Sequence, residues 1–228
     1  MINDFISLIF PKVCYACGKS LFKNEDCICA WCHYHLPKTN FHLRADNPVM
    51  RLFWGRTNIC SASSLYSFNK GSKVQHLIHQ LKYRGKKEIG ISIGKYYGRE
   101  LKTATAFSSA SVVVPVPLHK KKLKKRGYNQ SETFAQGLAE SLEIECGRDL
   151  IERTHASQTQ TKKSRFDRWK NVEEVFRVTA PEQLQGRHVL LVDDVVTTGS
   201  TLEACATRIL EIPGAKVSVL TIATTMAH

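Results

Sequence analysis

The chain has 228 residues, 43% of them hydrophobic, and a formal net charge of +13. That length holds one full α/β core with a small appended module, and no apolar run approaches the roughly 18 residues of a membrane-spanning helix. The positive balance points to acidic partners: nucleic acid, a highly phosphorylated small molecule, or both.

The N-terminus, MINDFISLIFPKVC, has an acid at Asp4, no basic segment and only a short apolar part, which argues against a secretory leader. Eight cysteines without such a leader predict a reducing, cytoplasmic setting. Ile2, Phe5, Ile6 and Ile9 fall at helical spacing and predict a short amphipathic helix packed on the body.

Five cysteines lie between Cys14 and Cys32, four of them in two C-x-x-C pairs, Cys14 with Cys17 and Cys29 with Cys32. Two tight turns carrying four thiolates can close a tetrahedron on one ion. Zn²⁺ suits such a closed sulfur site, and four full ligands leave no open position, so the metal is structural. Gly18 lets the backbone fold under the ion. The eleven residues between the pairs make the hairpin compact. Cys27 competes with Cys29 for the ligand set, and His33 and His35 are close enough to compete as well. The other reading, a pair of redox dithiols, lacks the strand-to-helix context of such motifs. Residues 1–40 are thus expected to form a helix and a zinc ribbon.

From Pro37 the text turns polar and aperiodic. Residues 41–62 read as a connector, with the lone Cys60 packed, and residues 63–228 as the main domain. SSLYSF predicts a short strand. KGSKVQHLIHQLKY predicts an amphipathic helix with Val74, Leu77, Ile78 and Leu81 on one face, leaving His76 and His79 at the surface. A second helix, KEIGISIGKYYGREL, follows.

Val112 to Val116 read as a buried strand that Pro115 and Pro117 bring to an end. Six of the seven residues from Lys120 to Arg126 are cationic. Most such runs are solvated turns, but this one follows a strand's carboxyl end, the side where open α/β sheets bind ligands. After a short strand at Asp149 to Glu152, RTHASQTQTKKSRFDRWKNVEEVF is long, polar and without periodicity until its end, as suits a mobile loop.

The stretch VLLVDDVVTTGSTL carries the most chemistry. Val189 to Val192 read as a strand buried on both faces. It runs into Asp193 and Asp194, then into a turn of Thr197, Thr198, Gly199, Ser200 and Thr201 before the helix-favouring LEACATRIL. Backbone N–H groups of the turn and the positive end of the helix can converge on a phosphate. The carboxylates repel phosphate and instead suit a vicinal diol or a divalent cation. Diol plus phosphate at a strand's carboxyl end describes a ribose 5-phosphate. A plain strand–turn–helix with an Asp cap needs one acid rather than two. Pro213 and Gly214 then turn the chain into a last strand, KVSVLTIA.

This stretch resembles the PRPP-binding loop of type I phosphoribosyltransferases. The resemblance implies that Asp193 and Asp194 hold the ribose hydroxyls, that Thr197, Thr198, Gly199, Ser200 and Thr201 wrap the 5-phosphate, and that Mg²⁺ accompanies PRPP. VPVPLHKKKLKKRGYNQSE is similar to the V-P-V-P-L-H-…-R-G-(F/Y)-N-Q-(S/A) segment of the ComF family, a competence-associated branch of phosphoribosyltransferase-like proteins. LIHQLKYRGKKEIG, with Lys82, Tyr83 and Gly85, and the two-pair cysteine ribbon resemble that family too. Lys120, Lys121, Lys122 and Arg126 would then stand on the pyrophosphate side. The loop after Glu152 would close over PRPP and exclude water. Its Gln160, Arg168, Asn171, Val172 and Phe176 match the family pattern, while Ser157 stands where Thr is usual and Lys163 where Leu is usual.

The expected fold is α/β, a parallel-sheet type I phosphoribosyltransferase core with a small N-terminal zinc-ribbon module. The expected function is Mg²⁺-dependent phosphoribosyl transfer to an unknown acceptor, with no residue standing out as a general base. The alternative is a non-catalytic protein of DNA uptake that binds PRPP or a nucleotide. Its partners would be single-stranded DNA, with Trp31 and Tyr34 as stacking candidates, or a competence or helicase protein.

Overall fold

The computed structural model describes residues 12–154 and 175–226. The N-terminal helix expected from Ile2, Phe5, Ile6 and Ile9 lies outside them. Val13 pairs with Ser20 in one antiparallel bridge, closing a knuckle around Cys14 and Cys17, with Gly18 in the left-handed region at φ 75°. The second cysteine pair opens a helix, α1 (Ala30–His35): Cys29 is its N-cap and Cys29 Sγ accepts from the Cys32 N–H at 3.4 Å. The module is therefore a knuckle plus a helix rather than two tight turns.

Residues 41–62, which read as polar connector, hold a 3₁₀ turn at Phe41–Leu43 and a short helix, α2 (Pro48–Arg51). Asn47 caps α2 by accepting from the N–H groups of Val49 and Met50, each at 3.0 Å, with Pro48 at the first position. Phe41, Val49, Phe53 and Ile59 are all buried. Cys60 is exposed, not packed: Ile59 and Ser61 on either side turn inward as the chain enters an edge strand.

Five strands form one sheet in the order β1 (Ser61–Ser67), β7 (Lys216–Thr224), β6 (His188–Val196), β2 (Val112–Pro115), β3 (Glu145–Cys146), every neighbouring pair parallel. β2, β6 and β7 occupy the centre, buried on both faces along most of their length, with β2 and Val189 to Val192 of β6 reading as unbroken apolar runs. Parallel neighbours require crossovers. These are helices: α3 (Lys73–Tyr83) and α4 (Lys87–Leu101) between β1 and β2, α5 (Lys120–Arg126) and α6 (Gln130–Leu142) between β2 and β3, and α7 (Ser200–Leu210) between β6 and β7. α3, α4 and α6 cover one face, packing with Leu190, Val192, Leu220 and Ile222. α7 and the segment 41–59 cover the other, over Val189, Leu191, Val217 and Val219.

Val74, Leu77, Ile78 and Leu81 of α3 are all buried, as their spacing predicts, and the Ser72 side chain caps the helix by accepting from the Gln75 N–H at 3.2 Å. α4 and α6 approach closely because Gly90, Gly94 and Gly98 face Thr133, Phe134, Gly137 and Ser141; a Cβ at Gly94 would lie 2.4 Å from the Phe134 carbonyl oxygen. The strand expected at Asp149 to Glu152 is displaced to β4 (Ile151–Arg153). It leaves the main sheet and pairs antiparallel with β5 (Phe176–Val178).

Candidate functional site

β2 ends opposite Val192 of β6, so Asp193 and Asp194 are the first residues of β6 to extend past their neighbour on that side. Both carboxylates are met by groups from the face that α3 and α6 cover. Ser131, in the first turn of α6, donates its hydroxyl to Asp193 Oδ1 at 2.8 Å, and the Asp194 N–H donates to the same oxygen at 2.8 Å. Asp194 Oδ1 lies 2.9 Å from Lys82 Nζ at the end of α3. Each acid thus has one oxygen engaged and Oδ2 open among the described residues. Burial, then the charge of Asp194, pushes the Asp193 carboxyl up to about 7, against the opposing hold of Ser131, the Asp194 N–H and Lys82.

Past Val196 the chain turns through Thr197 and Thr198 to Gly199, which takes φ 77° as the N-cap of α7. Only glycine adopts that conformation without strain. Among the described residues no side chain caps this helix, so its first N–H groups are left for an anion. The hydroxyls of Thr197, Thr198, Ser200 and Thr201 are exposed around it, and Asp193 and residues 195–202 line one small concavity of about 50 Å³. The loop is braced from behind. Arg56 donates to the Thr198 carbonyl oxygen at 3.1 Å and pairs with Glu203 on α7, while a Cβ on Gly199 would touch Phe53 and Leu52 at 3.4–3.5 Å.

The cationic run is a helix rather than a turn. His119 Nδ1 caps α5 by accepting from the Lys121 N–H at 3.1 Å, and Gly127, at φ 78°, ends it. Lys120, Lys121 and Lys122 point to solvent. Arg126 donates to Gln130 Oε1 at 2.7 Å and its guanidinium stands 5.4 Å from the Tyr83 ring, which joins the end of α5 to the end of α3. Gln160, Arg168 and Asn171 lie outside the described residues. His76 and His79 are exposed.

Four sulfurs meet at the N-terminal module: Cys14, Cys17, Cys29 and Cys32 place their Sγ atoms within 4.8 Å of one another, with Cys17 and Cys29 at 3.8 Å. A tetrahedron with Zn–S bonds of about 2.3 Å has edges of about 3.8 Å, so the donor set fits zinc, and the cluster could hold a structural zinc. Burial works to raise the Cys14 thiol, yet the N–H groups of Cys29, Cys17 and Ala16 hold it at about 7. Cys27 stands apart: its Sγ lies 3.6 Å from the Glu88 carbonyl oxygen on α4, and burial pushes its thiol up to about 11. The His33 ring stacks on Tyr96 and the His35 ring on Trp31, away from the sulfurs. Among the described residues no helix is long and apolar enough to cross a membrane.

Sequence reasoning missed three side chains here. Lys82 was visible only as part of a family-like segment, Ser131 only as the residue after Asn129 and Gln130, and Arg56 lay in text read as connector. None carries a local signal, because each meets its partner through the fold.

The family model for the phosphoribosyl transferase domain matches residues 129–228, a span that includes Ser131, the acid pair and the turn. The DNA utilization protein YhgH of Escherichia coli (strain K12) is 30% identical over 211 residues, covering 91% of this chain and 88% of that protein. The competence protein ComFC of Bacillus subtilis (strain 168) is 29% identical over 201 residues, covering 88% and 78%. A solved glutamine PRPP amidotransferase from B. subtilis, complexed with ADP and GMP, aligns with a TM-score of 0.44 and 20% identity over 63% of this chain and 30% of its own, too loosely to bear on the site. With a relative of this identity aligned over most of both chains, the chain belongs to the ComF family of the type I phosphoribosyltransferase superfamily.

Proposed function

We propose that the chain binds PRPP at the carboxyl end of β6 and transfers its phosphoribosyl group to an acceptor. One observation carries the reading: two carboxylates with open oxygens and an uncapped helix N-terminus flank a single turn. The open oxygens of Asp193 and Asp194 take the ribose hydroxyls. Thr197, Thr198, Gly199, Ser200 and Thr201 take the 5-phosphate, and Lys120, Lys121, Lys122 and Arg126 stand on the pyrophosphate side. Mg²⁺ belongs to this reading as counter-ion of the substrate's pyrophosphate, and zinc as the structural ion of the four cysteines in a reducing cytoplasm.

In the transfer, the acceptor's nucleophilic atom bonds to ribose C1 as the C1–O bond to pyrophosphate breaks. Pyrophosphate leaves with the electron pair, and the acceptor proton goes to solvent. Acceleration comes from positioning and charge, with no covalent nucleophile. The test is labelled PRPP incubated with a panel of bases and amines. Pyrophosphate release with one acceptor supports transfer, and no release across a broad panel rules it out while leaving binding to calorimetry.

A second reading is favoured by one surface. Trp31 and Tyr34 are 54% and 80% exposed, and Lys73 Nζ lies 4.2 Å from the Trp31 ring. In this reading the chain holds PRPP or a nucleotide without turning it over and stacks single-stranded DNA on the cysteine module. DNA affinity that falls by orders of magnitude between low and moderate salt supports it. Affinity indifferent to Trp31→Ala removes it.

A further inference from the structure

Adjacent carboxylates at a phosphate-binding turn invite a divalent cation, and the geometry here disagrees with one. Mg²⁺ would need an oxygen at about 2.0–2.1 Å and near-octahedral space around it. Asp194 Oδ1 is already 2.9 Å from Lys82 Nζ, and both side chains are largely withdrawn from water, Lys82 at 20% and Asp194 at 13% exposure. Asp193 Oδ1 is already taken by Ser131 and the Asp194 N–H. An ion on the remaining oxygens would sit beside a fixed ammonium with little solvent to screen the repulsion.

Lys82 does not reach this place by chance rotation of a surface side chain. Leu81, next to it, is fully buried, and its carbonyl oxygen accepts from the Tyr128 hydroxyl. The Arg84 N–H closes the helix on Gln80, and Gly85 turns the chain at φ 68°. Tyr83, on the other side, meets Arg126. The end of α3 is thus fastened from both flanks, and Lys82 is held over the end of β6.

We propose that Lys82 is the resident cation of the acid pair: it occupies at Asp194 the position a divalent ion would fill, so the protein presents the pair directly to a ribose diol and holds no metal of its own there. The diol part rests on the ribose 5-phosphate reading above; the exclusion of metal does not. It follows that ligands carrying a ribose 5-phosphate without pyrophosphate bind independently of Mg²⁺. Lys82 is a positioning residue, acting on the ligand through Asp194.

The experiment uses the zinc-loaded full chain and two probes. In the first, Mn²⁺ alone is titrated by electron paramagnetic resonance. Wild type is expected to show no site that Asp194→Asn removes. Folded Lys82→Met is expected to gain at least tenfold in Mn²⁺ affinity, and Lys82→Met/Asp194→Asn to lose the gain. A wild-type site that depends on Asp194, or a folded Lys82→Met that gains nothing, overturns the proposal. In the second, ribose 5-phosphate is titrated into zinc-loaded wild type by calorimetry with Mg²⁺ and in Mg²⁺-free buffer without chelator. Equal affinity supports the proposal even if Lys82→Met fails to fold, and weakening beyond tenfold without Mg²⁺ overturns it with the site intact. Absence of binding in both buffers defeats the ribose 5-phosphate reading and the diol role, while the Mn²⁺ titration still decides whether Lys82 excludes metal.

Discussion

Ser131 and Asp193 are 62 residues apart and share a 2.8 Å hydrogen bond that fastens the start of α6 to the end of β6. The bond opposes, without cancelling, the push of burial and of Asp194 that raises the Asp193 carboxyl to about 7. An acid raised in this way keeps its proton in the folded chain while the unfolded chain ionises. Its contribution to stability is therefore complete below about pH 4 and lost as pH rises through about 7. Asp193→Asn mimics the protonated acid at every pH. Variant and wild type should unfold alike near the acid end, and the variant should be more stable at about pH 8, by on the order of 1–3 kcal/mol. Thermal unfolding of both across this range measures the gap, and a gap that does not widen with pH contradicts the assignment.

The close approach of α4 and α6 makes a second prediction. A Cβ on Gly137 would lie 2.1 Å from the Ile91 carbonyl oxygen, and one on Gly94 would lie 2.4 Å from that of Phe134. Both obstacles are backbone, which cannot swing aside. Gly137→Ala should destabilise by roughly 1–3 kcal/mol, read as a lower urea midpoint with an unchanged slope. An unchanged midpoint would show that the helices part without cost.

How much of this was legible in the sequence depends on where the partners lie. Val189 to Thr201 holds strand, acids and turn in one run, and the spacing of Val74, Leu77, Ile78 and Leu81 needs no partner to be read. The four-residue spacing of Gly90, Gly94 and Gly98 was equally visible, but it means contact only once α6 is known to lie against it. Lys82, Ser131 and Arg56 stayed hidden because strand order, set by long crossovers, decides what meets the end of β6. The segment 41–62 misled for another reason: Phe41, Val49, Phe53 and Ile59 bury without any period, since a single helical turn and short loops rather than a long helix or strand carry them inward.

Cysteine substitutions separate ligands from bystanders. Cys27 Sγ is directed to the Glu88 carbonyl, outside the group of four mutually close sulfurs. Cys27→Ala should therefore retain one zinc per chain by elemental analysis, and Cys17→Ser or Cys32→Ser should lose it. Metal lost from Cys27→Ala alone would move the ligand set. Chelation of zinc from the wild type should loosen the module, because a closed four-sulfur site contributes its binding energy to folding.

Arg56 tests whether the segment before β1 is part of the phosphate site. Its guanidinium joins the Thr198 carbonyl to Glu203, one contact on the turn and one on the helix that follows. The pair is partly exposed, at 37% and 24%, so its direct worth to stability is small, about 0.2–1 kcal/mol. Its effect on the turn should be larger in proportion. The loop must hold several N–H groups on one phosphate, and a turn freed of its brace has to be ordered on binding. Arg56→Ala should thus leave the melting temperature nearly unchanged and weaken ribose 5-phosphate binding by about three- to tenfold, with the loss in binding entropy. Glu203→Gln, which keeps the Thr198 contact, should weaken binding less. Equal losses in the two variants would place the effect in the ion pair rather than in the hold on Thr198.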